Sequence, residues 1–246
     1  MTALFVTATG TDVGKTYVTR LLIRALRERG RRVRALKPVA TGFDPAHPER
    51  SDPGLLLASL GVPIDGAALE RVSPWRFEAP LSPDIAAARE GRAIEWPVLL
   101  AWCRREIDAA AADESVLLIE GIGGAMVPLD DCHTVLDWIA ALGIPALLVA
   151  GSYLGTLSHT LTASGMLASR GVPLAGIVVD ESAQQPVSPE DTARVLRRFA
   201  GAVPVVVVPR SRDGASGDGF GAAAGAAREA SPEAALVALL DSPGRE

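Results

Sequence analysis

The sequence predicts a three-layer, doubly wound α/β fold on a mostly parallel sheet. Short β-branched runs alternate with longer amphipathic stretches, and most of the short runs are apolar throughout rather than at every second position. A strand covered by helices on both faces has no wet side, so it reads as a continuous apolar run. Strand and helix in regular alternation then build a parallel sheet through crossover connections. With 246 residues, 48% of them hydrophobic and 22% charged, the chain can bury the core of one α/β domain, and residues 1–246 are expected to form a single nucleotide-binding domain.

In chain order the predicted strands are Leu4–Thr7, Val33–Val39, Val116–Ile119, Ala146–Ala150, Gly176–Val179 and Val203–Val208. The helical stretches between them are Lys15–Arg29, Trp96–Ala112, Val135–Leu142, Leu157–Arg170 and Pro189–Phe199. Residues 40–95 are dense in Pro and Gly and should form loops and short helices over the active edge of the sheet. The stretch from Arg210 to Ala230 is rich in Gly, Ala and Ser and is expected to be a mobile loop. Ser231–Leu240 reads as a closing helix with Ser231 as N-cap and Pro232 at its first position. No internal repeat is visible. In such a fold, ligands bind beyond the carboxyl ends of the strands.

Composition removes several functions. Lys plus Arg total 24 against 29 Asp plus Glu, a net charge of -5, which is the wrong balance for a nucleic-acid partner. The two cysteines, Cys103 and Cys132, make no disulfide framework, and no second Cys/His cluster completes a metal site with Cys132-His133. The N-terminus MTALFVTATG has no basic leader, and no apolar run reaches the roughly 20 residues a membrane span needs. A cytoplasmic protein with no membrane partner is expected.

The chemistry-bearing motif is FVTATGTDVGKT, Phe5 to Thr16, placed between the first strand and the first helix. Loop amides and a helix N-terminus there face an anion. Gly14 lets backbone approach phosphate, Lys15 bridges the β- and γ-phosphates, and the Thr16 hydroxyl can ligate Mg²⁺. The usual spacing puts glycine at position 9, here Thr9, with Gly10 adjacent. A GKT merely starting a helix is the bland alternative, but strand, glycine, GKT and helix in order point to a nucleotide site, with Thr11, Asp12, Val13, Gly14, Lys15, Thr16 and Tyr17 lining it. The fold is thus of the P-loop NTPase type.

Such a site needs carboxylates near its Mg²⁺. Glu120 closes an apolar strand in LLIEGIGG and is followed by Gly121, Gly123 and Gly124. It either faces a cation or caps the next turn at the surface; the glycines, which allow close backbone approach to a ligand, favour the first. Asp52, in Ser51-Asp52-Pro53-Gly54, reads on its own as an N-cap with proline at the first position. Lys37, in LKPVATG, is either a solvated strand end or a cation aimed into the cleft.

Taken together, VTATGTDVGKT, KPVATG, Ser51-Asp52, SPWRFEAPLSP, EGRAIE, LIEGIGGAMVPL, YLGTLSHTL and LAGIVV, in order from Thr7 to about Val179, resemble the dethiobiotin synthetase family. The resemblance implies an ATP-dependent cyclo-ligase that joins 7,8-diaminononanoate and CO₂ (or bicarbonate) through a carbamate and a carbamic-phosphoric anhydride. It implies Lys15 and Lys37 beside the carbamate and the transferred phosphoryl group. It also implies Thr16, Asp52 and Glu120 on Mg²⁺, Thr41 and Gly123 on the substrate, and Gly121 and Gly123 by the nucleotide. A homodimer is implied, in which Gly155, Thr156 and Ser158 reach the partner's substrate carboxylate. His159, one turn further on, is either a helix-packing residue or a ligand.

Three positions depart from the family pattern. Ala8 replaces a frequent glycine, and Ser158 stands where asparagine is common. Asp180 stands where an asparagine that reads the base is often found, with Val208, Pro209 and Arg210 expected nearby. Asparagine can both donate and accept, whereas a carboxylate only accepts. Base selectivity is therefore expected to be relaxed or shifted toward guanine, so that other NTPs could replace ATP. A different class, the partitioning or positioning ATPases, carries an extra lysine early in its loop, where this chain has Thr9-Gly10-Thr11. A cobyrinate-type amidase would need a further glutaminase domain.

Overall fold

Six parallel strands make up the central sheet of the computed structural model, which describes residues 3–183, 186–210 and 231–241. They are β1 (Ala3–Ala8), β2 (Val33–Leu36), β5 (Val116–Glu120), β6 (Ala146–Gly151), β7 (Leu174–Asp180) and β8 (Val205–Val208), in spatial order β2-β5-β1-β6-β7-β8. Two short strands, β3 (Val39–Thr41) and β4 (Trp75–Phe77), pair in parallel as a separate small sheet. The helices are α1 (Lys15–Glu28), α2 (Asp52–Leu60), α3 (Gly66–Val72), α4 (Pro83–Arg89), α5 (Trp96–Ala112), α6 (Val135–Leu142), α7 (Thr156–Ser169), α8 (Pro189–Phe199) and α9 (Pro232–Asp241). This is the doubly wound three-layer arrangement expected. Alternate residues of each strand feed two cores: Phe5, Ile119 and Leu148 pack with Leu99, Trp138 and Leu196 of α5, α6 and α8, while Leu4, Val6 and Leu118 pack with Leu22 and Leu26 of α1 and Leu236 of α9. Both faces are dry, which is why the strands are apolar throughout.

The chain leaves β1 toward β2 on one side and leaves β5 toward β6 on the other. These two strands are neighbours, in register at Val6↔Glu120, so their carboxyl ends frame the switch point where such sheets bind ligands.

Most boundaries fall within two residues of expectation, and three differences have a clear physical cause. The predicted strand Val33–Val39 is two strands. Pro38 has no N–H to give the ladder, the Lys37 N–H donates instead to the Val72 carbonyl at 2.9 Å, and β3 pairs with β4. The last strand starts at Val205 rather than Val203, after Pro204, whose carbonyl accepts the Ile177 N–H at 2.9 Å. Helix α2 is capped by Ser51, whose Oγ accepts the Gly54 N–H at 3.3 Å, so Asp52 is its first residue and not its N-cap. In the closing helix Ser231 does cap, its Oγ accepting the Ala234 N–H at 3.2 Å. Apart from Arg210, the predicted mobile loop lies outside the described residues.

Candidate active site

The loop between β1 and α1 is held open from both sides. The Thr9 N–H donates to the Val149 carbonyl at 3.0 Å, and Gly124 lies so near the loop that a Cβ on it would meet Thr9 and Gly10 backbone at 3.1–3.2 Å. Gly14 is the N-cap of α1 at φ 92, in the left-handed region that favours glycine. A Cβ there would lie 2.0 Å from Asp180 Oδ2, so the glycine is fixed by both conformation and space.

From this start α1 places Lys15 and Thr16 one after the other. Lys15 Nζ donates to the Gly10 carbonyl at 2.9 Å and the Gly123 carbonyl at 2.7 Å, curling the cation over the loop. Burial, and then the neighbouring Lys37 cation, lowers the Lys15 amine to about 8. The Thr16 hydroxyl lies 2.9 Å from Asp52 Oδ1 and 2.7 Å from Glu120 Oε1 and donates its one proton to this carboxylate pair.

Glu120 is fully buried. It follows Val116 and Leu118 on the α1 face of β5, which aims its carboxylate at the loop rather than at solvent. Lys37 meets it: Nζ lies 2.8 Å from Glu120 Oε1, 2.9 Å from Asp52 Oδ2 and 2.8 Å from the Gly121 carbonyl. Burial alone would pull the Lys37 ammonium down, but the Glu120 and Asp52 carboxylates together hold it above its ordinary value. Asp52 is opposed in the same way: burial pushes it up, and Lys37 with Thr16 brings it below the usual range. Glu120 Oε2 is buried with no protein partner among the described residues. Thr16, Asp52 and Glu120 thus converge as an all-oxygen set with a spare acceptor, the donor chemistry of a hard divalent cation.

Lys15, Thr16, Lys37 and Asp52 open onto a cavity of about 840 Å³, with Glu120 buried behind them. Of the residues singled out by sequence, Thr11, Asp12, Gly14, Lys15, Thr16 and Tyr17 line it on the loop side, and Lys37, Thr41, Asp52 and Gly123 on the other. Val13 is buried beneath the loop, and Gly121 contributes its carbonyl to Lys37. The far wall, formed by Phe43 and residues 80–83 with Ile122 and Val127, was not assigned from sequence. Its only signal was the proline-rich SPWRFEAPLSP segment, which names a shaped loop but not what the loop faces.

Other predicted residues lie elsewhere. Gly155, Thr156 and Ser158 are at the start of α7, outside this cavity. Gly155 is its left-handed N-cap, Ser158 is exposed, and the Thr156 hydroxyl is engaged by the Gly151 carbonyl at 2.6 Å. His159 Nδ1 is 2.9 Å from the Tyr153 hydroxyl. Asp180 ends β7 against Gly14, and Pro209 is exposed just past β8. His133 is stacked on Trp96 at 4.0 Å and bonded to Asp130 at 2.9 Å, which accounts for it without a metal.

Fold and site together define a P-loop nucleotide-binding protein. A family model described as an AAA domain matches residues 2–215. Among solved structures, the MinC:MinD cell division protein complex of Aquifex aeolicus superposes with a TM-score of 0.51 at 12% identity, over 86% of this chain and 83% of that one, a likeness of fold alone. The chain is 49% identical to the ATP-dependent dethiobiotin synthetase BioD of Acidiphilium cryptum (83% of this chain, 91% of that protein). It is 50% identical to the protein of the same name in Methylobacterium nodulans, over 85% and 94% of the two chains. The chain belongs to the dethiobiotin synthetase family.

Proposed function

We propose that this chain closes the ureido ring of dethiobiotin from 7,8-diaminononanoate, CO₂ and ATP. The observation that carries this reading, beside the family membership, is the pair of buried cations, Lys15 and Lys37, set 108 and 84 residues in sequence from the Gly123 and Gly121 carbonyls they grip. Together they bridge a phosphate loop and an acceptor cavity. One substrate amine adds to CO₂ and loses a proton, giving a carbamate. A carbamate oxygen attacks the γ-phosphorus and ADP leaves. The second amine then attacks the carbonyl carbon, loses its proton, and expels phosphate as the ring closes.

The difficulty in that sequence is bringing an anionic carbamate to an anionic triphosphate. Phosphoryl transfer depends mainly on positioning and charge neutralisation, both of which gain strength in a site shielded from water. Lys15 holds the β- and γ-phosphates. Lys37 is kept protonated by Glu120 and Asp52 and is the cation for the carbamate and the transferred phosphoryl group. Thr41 and Gly123, on the cavity wall, position the amine end of the substrate. Thr16, Asp52 and Glu120 would hold Mg²⁺, which the unpartnered buried Glu120 Oε2 fits. When bound, the ion neutralises phosphate charge. The exposed α7 start, with Leu154 84% exposed beside Gly155, fits a homodimer in which Ser158 serves the partner's substrate. A reaction fed by ATP suits the cytoplasm, and among the described residues no helix is long and apolar enough to cross a membrane.

The test mixes purified protein with Mg²⁺, ATP, bicarbonate and the diamine, and follows phosphate and product mass while each component is omitted in turn. Product that needs every component is expected. Phosphate release indifferent to the diamine would point to a positioning-type ATPase switch instead.

A further inference from the structure

Among the described residues three cations line the cavity, Lys15, Lys37 and Arg50, and the first two are already committed. Lys15 Nζ grips the Gly10 and Gly123 carbonyls, and Lys37 Nζ is shared between the Glu120 and Asp52 carboxylates, which offset its charge. Arg50 is engaged only by Glu49. Its Nε lies 3.7 Å from Glu49 Oε1, with the two side chains 78% and 53% exposed, and a solvated pair of this kind contributes little. A guanidinium keeps its proton at any pH the protein meets, so a full positive charge stands at the cavity wall, free to turn.

The backbone beneath that side chain is fixed. Residues Pro48–Arg50 form a single 3₁₀ turn, in which the Arg50 N–H donates to the His47 carbonyl and the Ser51 N–H to the Pro48 carbonyl, both at 3.1 Å. The turn packs so closely on the start of α2 that a Cβ on Gly54 would lie 2.0 Å from the Pro48 oxygen. Ser51 caps α2 and Asp52 begins it. Arg50 is therefore anchored beside the carboxylate that joins Thr16 and Glu120 in the all-oxygen set, and only its side chain is left to move.

We propose that Arg50 is a further catalytic residue of the ring-closing reaction, turning from Glu49 onto the γ-phosphoryl group as that group passes from ADP to the carbamate. Triphosphate and carbamate together bring more negative charge than Lys15, Lys37 and a divalent cation supply once Glu120 and Asp52 are counted. Arg50 is the cation left on the cavity wall to reduce that excess. In the transition state charge spreads over the three equatorial oxygens of the phosphoryl group, and the planar fork of an arginine can donate to two of them at once. Lys15 reaches the phosphates from the loop, Lys37 from the end of β2 and Arg50 from the turn before α2, so the group is met from three elements. Engagement needs a rotation of one exposed side chain and no movement of the backbone.

This role rests on the cyclo-ligase reading for its acceptor, and the test keeps the two apart. A fluorescent ADP analogue is displaced from the full chain by ATP and by ADP in Mg²⁺, without diamine, and dethiobiotin turnover is measured in parallel. Arg50→Gln changes an exposed side chain, so its melting temperature should stay within about 2 °C of wild type. It should bind ADP within about twofold of wild type but lower the ATP:ADP affinity ratio at least about fivefold, the loss of one charge-assisted contact to the γ-phosphate. Its kcat for dethiobiotin should fall at least about a hundredfold, a modest figure for an arginine on a transferring phosphoryl group. Arg50→Lys, which keeps the charge and loses the fork, should lie between the two. Glu49→Gln, which removes only the surface pair, should keep kcat within about threefold. An unchanged ATP:ADP ratio, a smaller fall in kcat, or the same loss in Glu49→Gln overturns the proposal. Wild type that makes no dethiobiotin would reject the cyclo-ligase reading, and the ATP:ADP ratio alone would then decide whether Arg50 meets the γ-phosphate.

Discussion

Replacing Lys37 by methionine keeps the length of the side chain and removes its charge. In the wild type Nζ serves three acceptors within 2.9 Å, two of them carboxylates, and Glu120 has no solvent exposure at all. The variant leaves that carboxylate buried without its cation, a loss of about 3–5 kcal/mol for a broken buried pair. For a chain of this size one kcal/mol moves the melting temperature by about 2–4 °C, so the shift should be roughly 6–20 °C. Lys37 is held above its ordinary value of 10.5, so its contribution is fully present below that pH and is lost only as pH rises through the higher folded-state value. Melting measured at pH 7 to 9 therefore captures all of it. The double variant Lys37→Met with Glu120→Gln should lose less than the two single variants added together, by about 1–3 kcal/mol. The assay is thermal and urea unfolding of the four proteins. If Lys37→Met melts within about 2 °C of wild type, the buried charge pair is not holding the site together and the reasoning fails.

Further consequences follow from the same geometry. Thr16→Val keeps the shape of the side chain but loses the hydroxyl between Asp52 and Glu120, and should raise the Mg²⁺ requirement for turnover at least about tenfold, with Thr16→Ser retaining most of it. Asp180 has a folded-state value near 7, raised by burial above its ordinary 3.8, so the native state binds more protons than the unfolded chain between those values. The contribution of Asp180 to stability should therefore fall as pH rises from 4 to 7, and Asp180→Asn should raise the melting temperature at pH 7 relative to pH 4 when compared with wild type. Gly121→Ala would set a methyl 2.7 Å from the Phe5 ring and should cost about 1–3 kcal/mol in urea unfolding. Cys103 is buried, which pushes its thiol up to about 12, whereas Cys132 is exposed; a thiol reagent should label Cys132 in the native protein and reach Cys103 only on unfolding.

Much of this was legible because the signals were local. Strands buried on both faces had to be apolar throughout, the loop declared itself by glycine and GKT between a strand and a helix, and Glu120 was a carboxylate where a dry strand ended. What stayed hidden depended on which way the chain turned. Val33–Val39 looked like one strand because its residues suit a sheet throughout, and only the missing Pro38 N–H makes Lys37 turn out of it into the site. Asp52 and Ser51 are equally good caps on paper. The serine takes that role because packing of α2 against α1 draws the aspartate toward Thr16 and Lys37. The cavity wall at residues 80–83 has no chemistry of its own, so nothing in its composition announced a ligand. The place of Asp180 against Gly14 joins residues 166 positions apart, and only the strand order reveals it.

The central claim is that a carbamate oxygen is phosphorylated on the way to the ring, and oxygen transfer tests it most directly. The complete reaction is run briefly with ¹⁸O-labelled bicarbonate, and the released phosphate is analysed by mass. The account predicts one ¹⁸O in the phosphate for each dethiobiotin formed, because the oxygen that attacks the γ-phosphorus departs with it when the second amine closes the ring. Dethiobiotin formed together with unlabelled phosphate would contradict that route and remove the role assigned to Lys37 beside the carbamate.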